Sequence, residues 1–169
     1  LTESLNGLLT ADPKGAPFKE TYLRLTRDAQ AQHETFSAAM DGIDVPGRFP
    51  VSPLAQQLKM VARTIAMSDR LGLEQQTFFV RYIGWDHHDQ LLSTHARMLS
   101  VLSQALGAFQ TALDDMGLSD RVVTFTGSDF GRTLTSNGSG TDHGWGGNTL
   151  VMGGPVAGGR IVGDYPVLG

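Results

Sequence analysis

The sequence contains no cysteine among its 169 residues. This absence excludes disulfide frameworks, zinc sites built from thiolates, and cysteine nucleophiles. The chain also lacks the run of about 18 apolar residues that a membrane-spanning helix needs. Positive charge is not in excess, because the formal net charge is −4 and the 10 arginines and 3 lysines are scattered. Since nucleic-acid binding needs a basic surface, we expect no nucleic-acid partner. The missing apolar run likewise predicts that no helix spans a membrane.

The composition is otherwise that of a globular chain, with 40% hydrophobic and 18% charged residues. Glycine is in clear excess, and 13 of the 21 glycines lie between Gly127 and Gly169. No signal peptide is visible, and the first residue is Leu1 rather than methionine. We therefore expect a processed, trimmed or partial chain, in which any export signal would precede Leu1.

Apolar residues at spacings of three and four predict three helices. The first covers about residues 17–40, and a loop rich in glycine and proline follows over residues 41–51. A second helix is predicted from Pro53 to about Asp69, because Ser52 followed by Pro53 is typical of an N-cap and first helical position. The third runs over Leu91–Met116, where Gly117 is placed to end it. The stripe on the first helix consists of Phe18, Tyr22, Leu25, Ala29 and Phe36.

Short segments rich in β-branched and aromatic residues predict strands at residues 77–83, 121–126 and 149–152. The first two flank the long third helix, and this order is typical of a βαβ unit with parallel strands. Ligands bind outside the carboxyl ends of such strands. Because the polar segments 85–90 and 128–132 follow these two strands directly, we expect a site at that edge of the sheet.

The first polar segment offers Asp86 and His88, two residues apart, which can point at one metal ion. Aspartate and histidine are ligands that zinc, manganese or iron accept. His87 would then point elsewhere, although His87 and His88 can exchange roles in this prediction. The alternative is a solvated polar loop in which Asp89 stabilises the N-terminus of the following helix.

Two further clusters carry candidate residues. Asp129 is either an acid of the site or a residue that caps a turn, and Arg132 is either a bidentate contact for a phosphate or sulfate anion or a salt-bridge partner. His143 lies among small residues, and it is either a metal ligand or part of a flexible polar loop. Asp142 is placed to orient an imidazole.

In this order the clusters resemble a bacterial family called domain of unknown function 1501. The residues that carry the resemblance are Gly84-Trp85-Asp86 with His88, then Ser128–Arg132, Gly140–Gly147, and Gly158-Gly159 with Gly163. The resemblance covers about residues 52–169. That family is similar to the alkaline-phosphatase and sulfatase superfamily.

The similarity implies an α/β fold, a three-layer α/β/α sandwich with a mostly parallel sheet, of which this chain forms a C-terminal-side portion. Residues 1–50 would be a helical segment and loop, and residues 51–169 the partial α/β domain. The similarity also implies a divalent metal such as zinc, manganese or calcium, held by Asp86, His88 and His143, with a second ion reached by Asp129. His87 and Asp142 would be alternative ligands or orienting residues, and Arg132 would hold the anion.

The implied function is metal-dependent hydrolysis of small phosphate or sulfate esters by a periplasmic or otherwise exported protein. Two features depart from the superfamily. Phe130 stands where its hydrolases usually have histidine. The superfamily's nucleophile lies early in the chain, so the resemblance implies that it precedes Leu1. The alternative is an exported binding or assembly protein, free to form oligomers, that keeps the fold without catalysis.

Histidine ligation predicts a dependence of metal binding on pH. A histidine must be neutral to bind a metal, and ordinary imidazoles become protonated below about pH 6.5. We therefore predict that metal affinity falls as the pH drops below about 6.5, as measured by zinc titrations of the purified protein. An affinity that stays constant between about pH 7 and about pH 5 would contradict histidine ligands.

Overall fold

A computed structural model describes Gly7, Thr10 and residues 16–164 of the chain. Over residues 16–164 it contains three α-helices, a short 3-10 helix and four β-strands. The helices are α1 (Pro17–Met40), α2 (Pro53–Ala66) and α3 (Leu91–Asp115), and the 3-10 helix is Ser119–Arg121. The strands are β1 (Val123–Phe125), β2 (Gly131–Ser136), β3 (Thr141–Gly144) and β4 (Val151–Gly153).

The three predicted helices are confirmed, and local capping explains where α2 and α3 begin or end. The Ser52 hydroxyl accepts a hydrogen bond from the Ala55 amide at 3.3 Å, and Pro53 occupies the first helical position, where a missing N–H is tolerated. At the end of α3, Gly117 adopts a φ of +67°, which glycine tolerates without strain. The amide of the next residue, Leu118, then donates to the Leu113 carbonyl at 2.8 Å, as is typical of a helix C-terminus.

The chain divides into two compact units, and the first combines α1 with Met67–Gln76. Arg70 ties this segment to the end of α1, because its guanidinium donates to the Ala39 and Asp41 carbonyls at 3.1 and 2.8 Å. A cation at this point also complements the negative end of the helix. The predicted aromatic stripe of α1 is largely exposed, with Phe18, Tyr22, Leu25 and Phe36 all reaching solvent.

The second unit consists of Val45–Ala66 and the chain from Thr77 onward, and its core is the packing of α2 on α3. Alanines on both helices are fully buried in this core, and the large side chain of Phe109 is buried with them. The core residues are Val45, Leu54, Ala55, Leu58, Ala62, Ala105, Phe109, Ala112 and Leu113. Val80, Tyr82 and Val122 pack against them from outside the two helices.

The predicted three-layer sandwich with a mostly parallel sheet is wrong. The described residues form two separate two-stranded sheets, in which β1 pairs antiparallel with β4 and β2 pairs antiparallel with β3. Residues 77–83, predicted as the first strand, form no strand. Val80 and Tyr82 lie against the helical core and Phe79 and Ile83 are exposed, so the apolar pattern of this segment reflects packing on helices and not a sheet ladder.

The other two predicted strands exist but are short, and their pairing is antiparallel. β1 and β4 meet with Val123 opposite Gly153 and Phe125 opposite Val151. The β2–β3 pair lies in segments for which no strand was predicted. In the part of the chain that the structure describes, no helix combines the length and apolar character needed to cross a bilayer.

The α2–α3 core predicts which leucine of α3 matters for stability. Leu113 is 1% exposed, whereas Leu92 on the same helix is 86% exposed. We expect Leu113→Ala to lower the free energy of unfolding by about 2–5 kcal/mol, through lost burial and a residual cavity. Leu92→Ala should change it by less than about 0.5 kcal/mol. Urea denaturation of both variants measures the difference, and equal effects would contradict the assigned core.

Candidate metal centre

The β2–β3 hairpin is the element that carries most of the candidate residues. Arg132 on β2 lies opposite His143 on β3, and the register shifts before the pair Ser136 and Thr141. The prediction missed this hairpin. Alternating threonines in β2 and the Asn137-Gly138 dipeptide are signals that could have identified it, because such residues favour strands and tight turns.

Glycine at the turn lets the hairpin approach the loop formed by residues 84–90. A Cβ atom on Gly140 would lie 2.6 Å from both the C and O atoms of His88, closer than any side chain tolerates. Asn137 holds the same contact, because its side-chain amide donates to the His88 carbonyl at 3.0 Å and its Oδ1 accepts from the Gly140 amide at 2.7 Å. The Leu91 amide, at the start of α3, donates to the Ser139 carbonyl at 3.1 Å.

This approach brings Asp86, His88 and His143 together. One ligand atom from each of the three lies within 4.8 Å of the other two. The Asp86 carboxylate Oδ1 is 2.6 Å from His143 Nε2 and 2.9 Å from His88 Nε2. All three side chains are exposed, so the cluster is open to solvent.

Asp142 fixes the orientation of one of these imidazoles. Its Oδ1 lies 3.1 Å from His88 Nδ1, and the Asn137 side-chain amide donates to the same oxygen at 3.4 Å. When Nδ1 carries the proton and donates to Asp142, the Nε2 that faces Asp86 is left with its lone pair. A carboxylate on the far nitrogen in this way is the usual support of a metal-binding histidine. Sequence reasoning overlooked Asn137.

Both carboxylates of the cluster are held in their charged form. The hydrogen bond with His143 lowers the pKa of Asp86, against a smaller opposing effect of burial, and the charges of His143, His88 and Arg132 lower it further. Hydrogen bonds with His88 and Asn137 lower the pKa of Asp142. Ionised carboxylates beside imidazole nitrogens provide the negative potential and the lone pairs that a cation requires.

Phe130 lies directly against the cluster. Its ring stacks on the His143 imidazole with centroids 4.2 Å apart and planes inclined by 11°, and the Arg132 guanidinium lies 5.2 Å from the Phe130 centroid. The stacking restricts rotation of the imidazole, since a tilt would bring the two rings into collision. Phe130 therefore packs on a candidate ligand.

The Arg132 guanidinium points into the protein, with its side chain 17% exposed. One terminal nitrogen donates to the His87 carbonyl at 2.8 Å and to the Thr141 carbonyl. The other donates to the Trp85 carbonyl at 2.8 Å and to the Asp86 carboxylate at 3.4 Å. The terminal N–H groups of Arg132 therefore bond to three backbone carbonyls and to one candidate ligand, Asp86.

The remaining predicted residues lie outside this cluster. The Asp129 side chain is exposed, and within the described residues no hydrogen bond or ion pair involves it. His87 is only 6% exposed, and its ring stacks on His95 with centroids 5.8 Å apart. Among the residues that the structure describes, neither ring nitrogen of His87 has a hydrogen-bond partner. Of the two neighbouring histidines, His88 is therefore the one that faces Asp86.

A family model described as a protein of unknown function (DUF1501) matches residues 18–169 of the chain. The chain belongs to the DUF1501 family. Comparison with curated proteins and with solved structures returned no match. In this DUF1501 chain the matched region contains Asp86, His88 and His143 and all of the residues that surround them.

The contact between Gly140 and the His88 backbone predicts a sharp effect of a single methyl group. We expect Gly140→Ala to lower the free energy of unfolding by about 1–3 kcal/mol, because the backbone must shift to relieve the overlap. Gly147→Ala is the matched control, since a Cβ there would have no neighbour within 4 Å among the described residues. Chemical denaturation measures both variants, and a neutral Gly140→Ala would contradict the close approach.

Proposed function

We propose that Asp86, His88 and His143 bind one divalent metal ion. The observation that supports this is the meeting of three ligand atoms, from residues as far apart in sequence as Asp86 and His143, within 4.8 Å. Two imidazoles and a carboxylate are a frequent ligand set of catalytic zinc sites, in which the fourth position stays open to water or substrate. The solvent exposure of the three side chains agrees with such an open position.

The three ligand atoms and the distances between them fit the coordination of a divalent ion such as zinc. Ligands about 2.1 Å from a tetrahedral ion lie about 3.4 Å from each other. The Asp86 oxygen is 2.6 and 2.9 Å from the two imidazole nitrogens. Each of these distances would therefore lengthen by less than about 1 Å to accommodate the ion. Imidazole donors favour zinc over calcium, which prefers oxygen ligands.

We further propose that the protein uses this centre to hydrolyse phosphate or sulfate esters. A bound divalent ion would act as a Lewis acid toward an ester oxygen. In this proposal Asp142 accepts a hydrogen bond from His88 Nδ1, which leaves Nε2 free for the ion, and the ionised Asp86 supplies the charged ligand. The proposed substrate class comes from the similarity to the alkaline-phosphatase and sulfatase superfamily, although the described residues do not form that superfamily's parallel sheet. Export of the protein stays a prediction.

A second candidate is an exported binding or assembly protein without catalysis. Two observations favour it: Asp129 is not among the clustered ligands, and Phe130 packs its ring on His143. The resemblance implied a second ion reached by Asp129. A centre for one ion lacks the pair of ions with which two-metal phosphatases hold both reacting oxygens, and this favours a protein that binds a metal without catalysis.

Removal of either imidazole tests the metal site. We expect His88→Ala and His143→Ala each to weaken zinc binding by more than about 100-fold, which exceeds the usual effect of losing an orienting residue. His33→Ala, on α1, is the control and should bind zinc as the unchanged protein does. Isothermal titration and metal analysis measure the outcome. Binding of less than about one ion per ten molecules of the unsubstituted protein would contradict the site.

Hydrolysis separates the two candidate functions. Protein expressed from the complete reading frame and loaded with zinc or manganese would be given nitrophenyl phosphate and nitrophenyl sulfate. The hydrolase proposal expects release of nitrophenol that a chelator abolishes and that His88→Ala lacks. Full metal loading without any release would favour the binding protein.

A further inference from the structure

Arg132 touches both of the segments that carry the candidate ligands. Its side chain donates to the carbonyls of Trp85 and His87, the residues on either side of Asp86. It also donates to the Thr141 carbonyl, two residues before His143. We propose that Arg132 is the positioning residue of the metal centre, which holds the Asp86–His88 loop against the β3 strand. This inference rests on the proposed metal site.

The backbone of Arg132 strengthens this connection. Arg132 lies opposite His143 in the hairpin ladder, and its amide and carbonyl exchange hydrogen bonds with Gly146 at 2.7 and 2.9 Å. The backbone therefore sets the position of His143, and the side chain sets the position of Asp86. Arg132 therefore connects the ligands of the two segments through both its backbone and its side chain.

The chemistry of the guanidinium suits this role. A planar fork with five donors can reach several carbonyls at once, whereas an ammonium group presents its donors from one point. Two terminal nitrogens serve four acceptors here: three backbone carbonyls and the Asp86 carboxylate. An anion could bind these nitrogens only by displacing the carbonyls, which are the contacts that join the two segments.

The effect of Arg132 on metal affinity has a sign that distinguishes positioning from simple electrostatics. A guanidinium 3.4 Å from the Asp86 carboxylate repels an incoming cation. If charge were its only contribution, removing Arg132 would strengthen metal binding. If Arg132 positions the ligands, its removal weakens binding, because Asp86 and His88 no longer stay beside His143.

The test is metal titration of Arg132→Ala, Arg132→Gln and Arg132→Lys, with Co²⁺ as a coloured substitute for zinc. We expect each variant to bind Co²⁺ about 10–100-fold more weakly, as is typical when a residue that orients ligands is lost. The visible band of bound Co²⁺, which reports coordination geometry, should also change. Arg160→Ala, at an exposed arginine of the same unit, should alter neither the affinity nor the band.

Chemical rescue sharpens the experiment. Guanidinium ion at low, non-denaturing concentration should restore Co²⁺ affinity and the band to Arg132→Ala, while sodium at equal ionic strength should not. Unchanged or stronger Co²⁺ binding in the variants would overturn the inference. If the variants keep Co²⁺ binding but lose binding of inorganic phosphate, Arg132 is an anion contact and the inference is wrong.

Hydrogen exchange gives a readout that does not need metal. In the ion-free protein, Arg132→Ala should speed exchange of the amides of residues 85–91, which include the His87 and Leu91 amides bonded to Trp85 and Ser139. Protection in α2 and α3 should persist, and if it does not, Arg132→Lys replaces Arg132→Ala in the comparison. Unchanged exchange over residues 85–91 in the variant would overturn the inference, whether or not the unsubstituted protein binds metal. Failure of the unsubstituted protein to bind metal would separately contradict the proposed function.

Discussion

The approach of the hairpin turn to the loop before α3 is the contact on which the rest of the site depends. Gly140 lies so near the His88 backbone that a single Cβ atom would not fit, and Asn137 bonds to both sides of this contact. Once the turn is seated, Asp142 reaches His88 and His143 reaches Asp86. Backbone proximity at one glycine therefore decides which side chains meet.

The site and the core of the second unit are built from different parts of the chain. The core is the packing of α2 on α3, where burial of apolar surface supplies the stability. The candidate ligands lie in the loop before α3 and on the hairpin, and are exposed. The Leu91 amide, bonded to Ser139, joins the start of α3 to the hairpin. Functional side chains on loops that a packed scaffold positions are a common arrangement.

The error in the predicted fold has a definite cause. Local composition identifies segments that favour extended backbone, but the partner of a strand depends on contacts between distant residues. Residues 77–83 have the composition of a buried strand, yet Val80 and Tyr82 satisfy their burial against helices. β1 and β4 pair antiparallel across an intervening hairpin, which strand–helix–strand order did not indicate. Asp129 was expected at a shared sheet edge that the described residues do not form.

The sequence by itself determined the local features. Periodicity located the three helices, Ser52 and Gly117 marked a beginning and an end, and the absence of cysteine limited metal ligands to carboxylates and imidazoles. Only the tertiary structure decided that His88 and not His87 faces Asp86, that Asn137 supports Asp142, and that Arg132 bonds backbone carbonyls. The physical reason is that caps and periodicity act over a few residues, whereas side-chain orientation in a loop follows from which distant backbone comes close enough to bond.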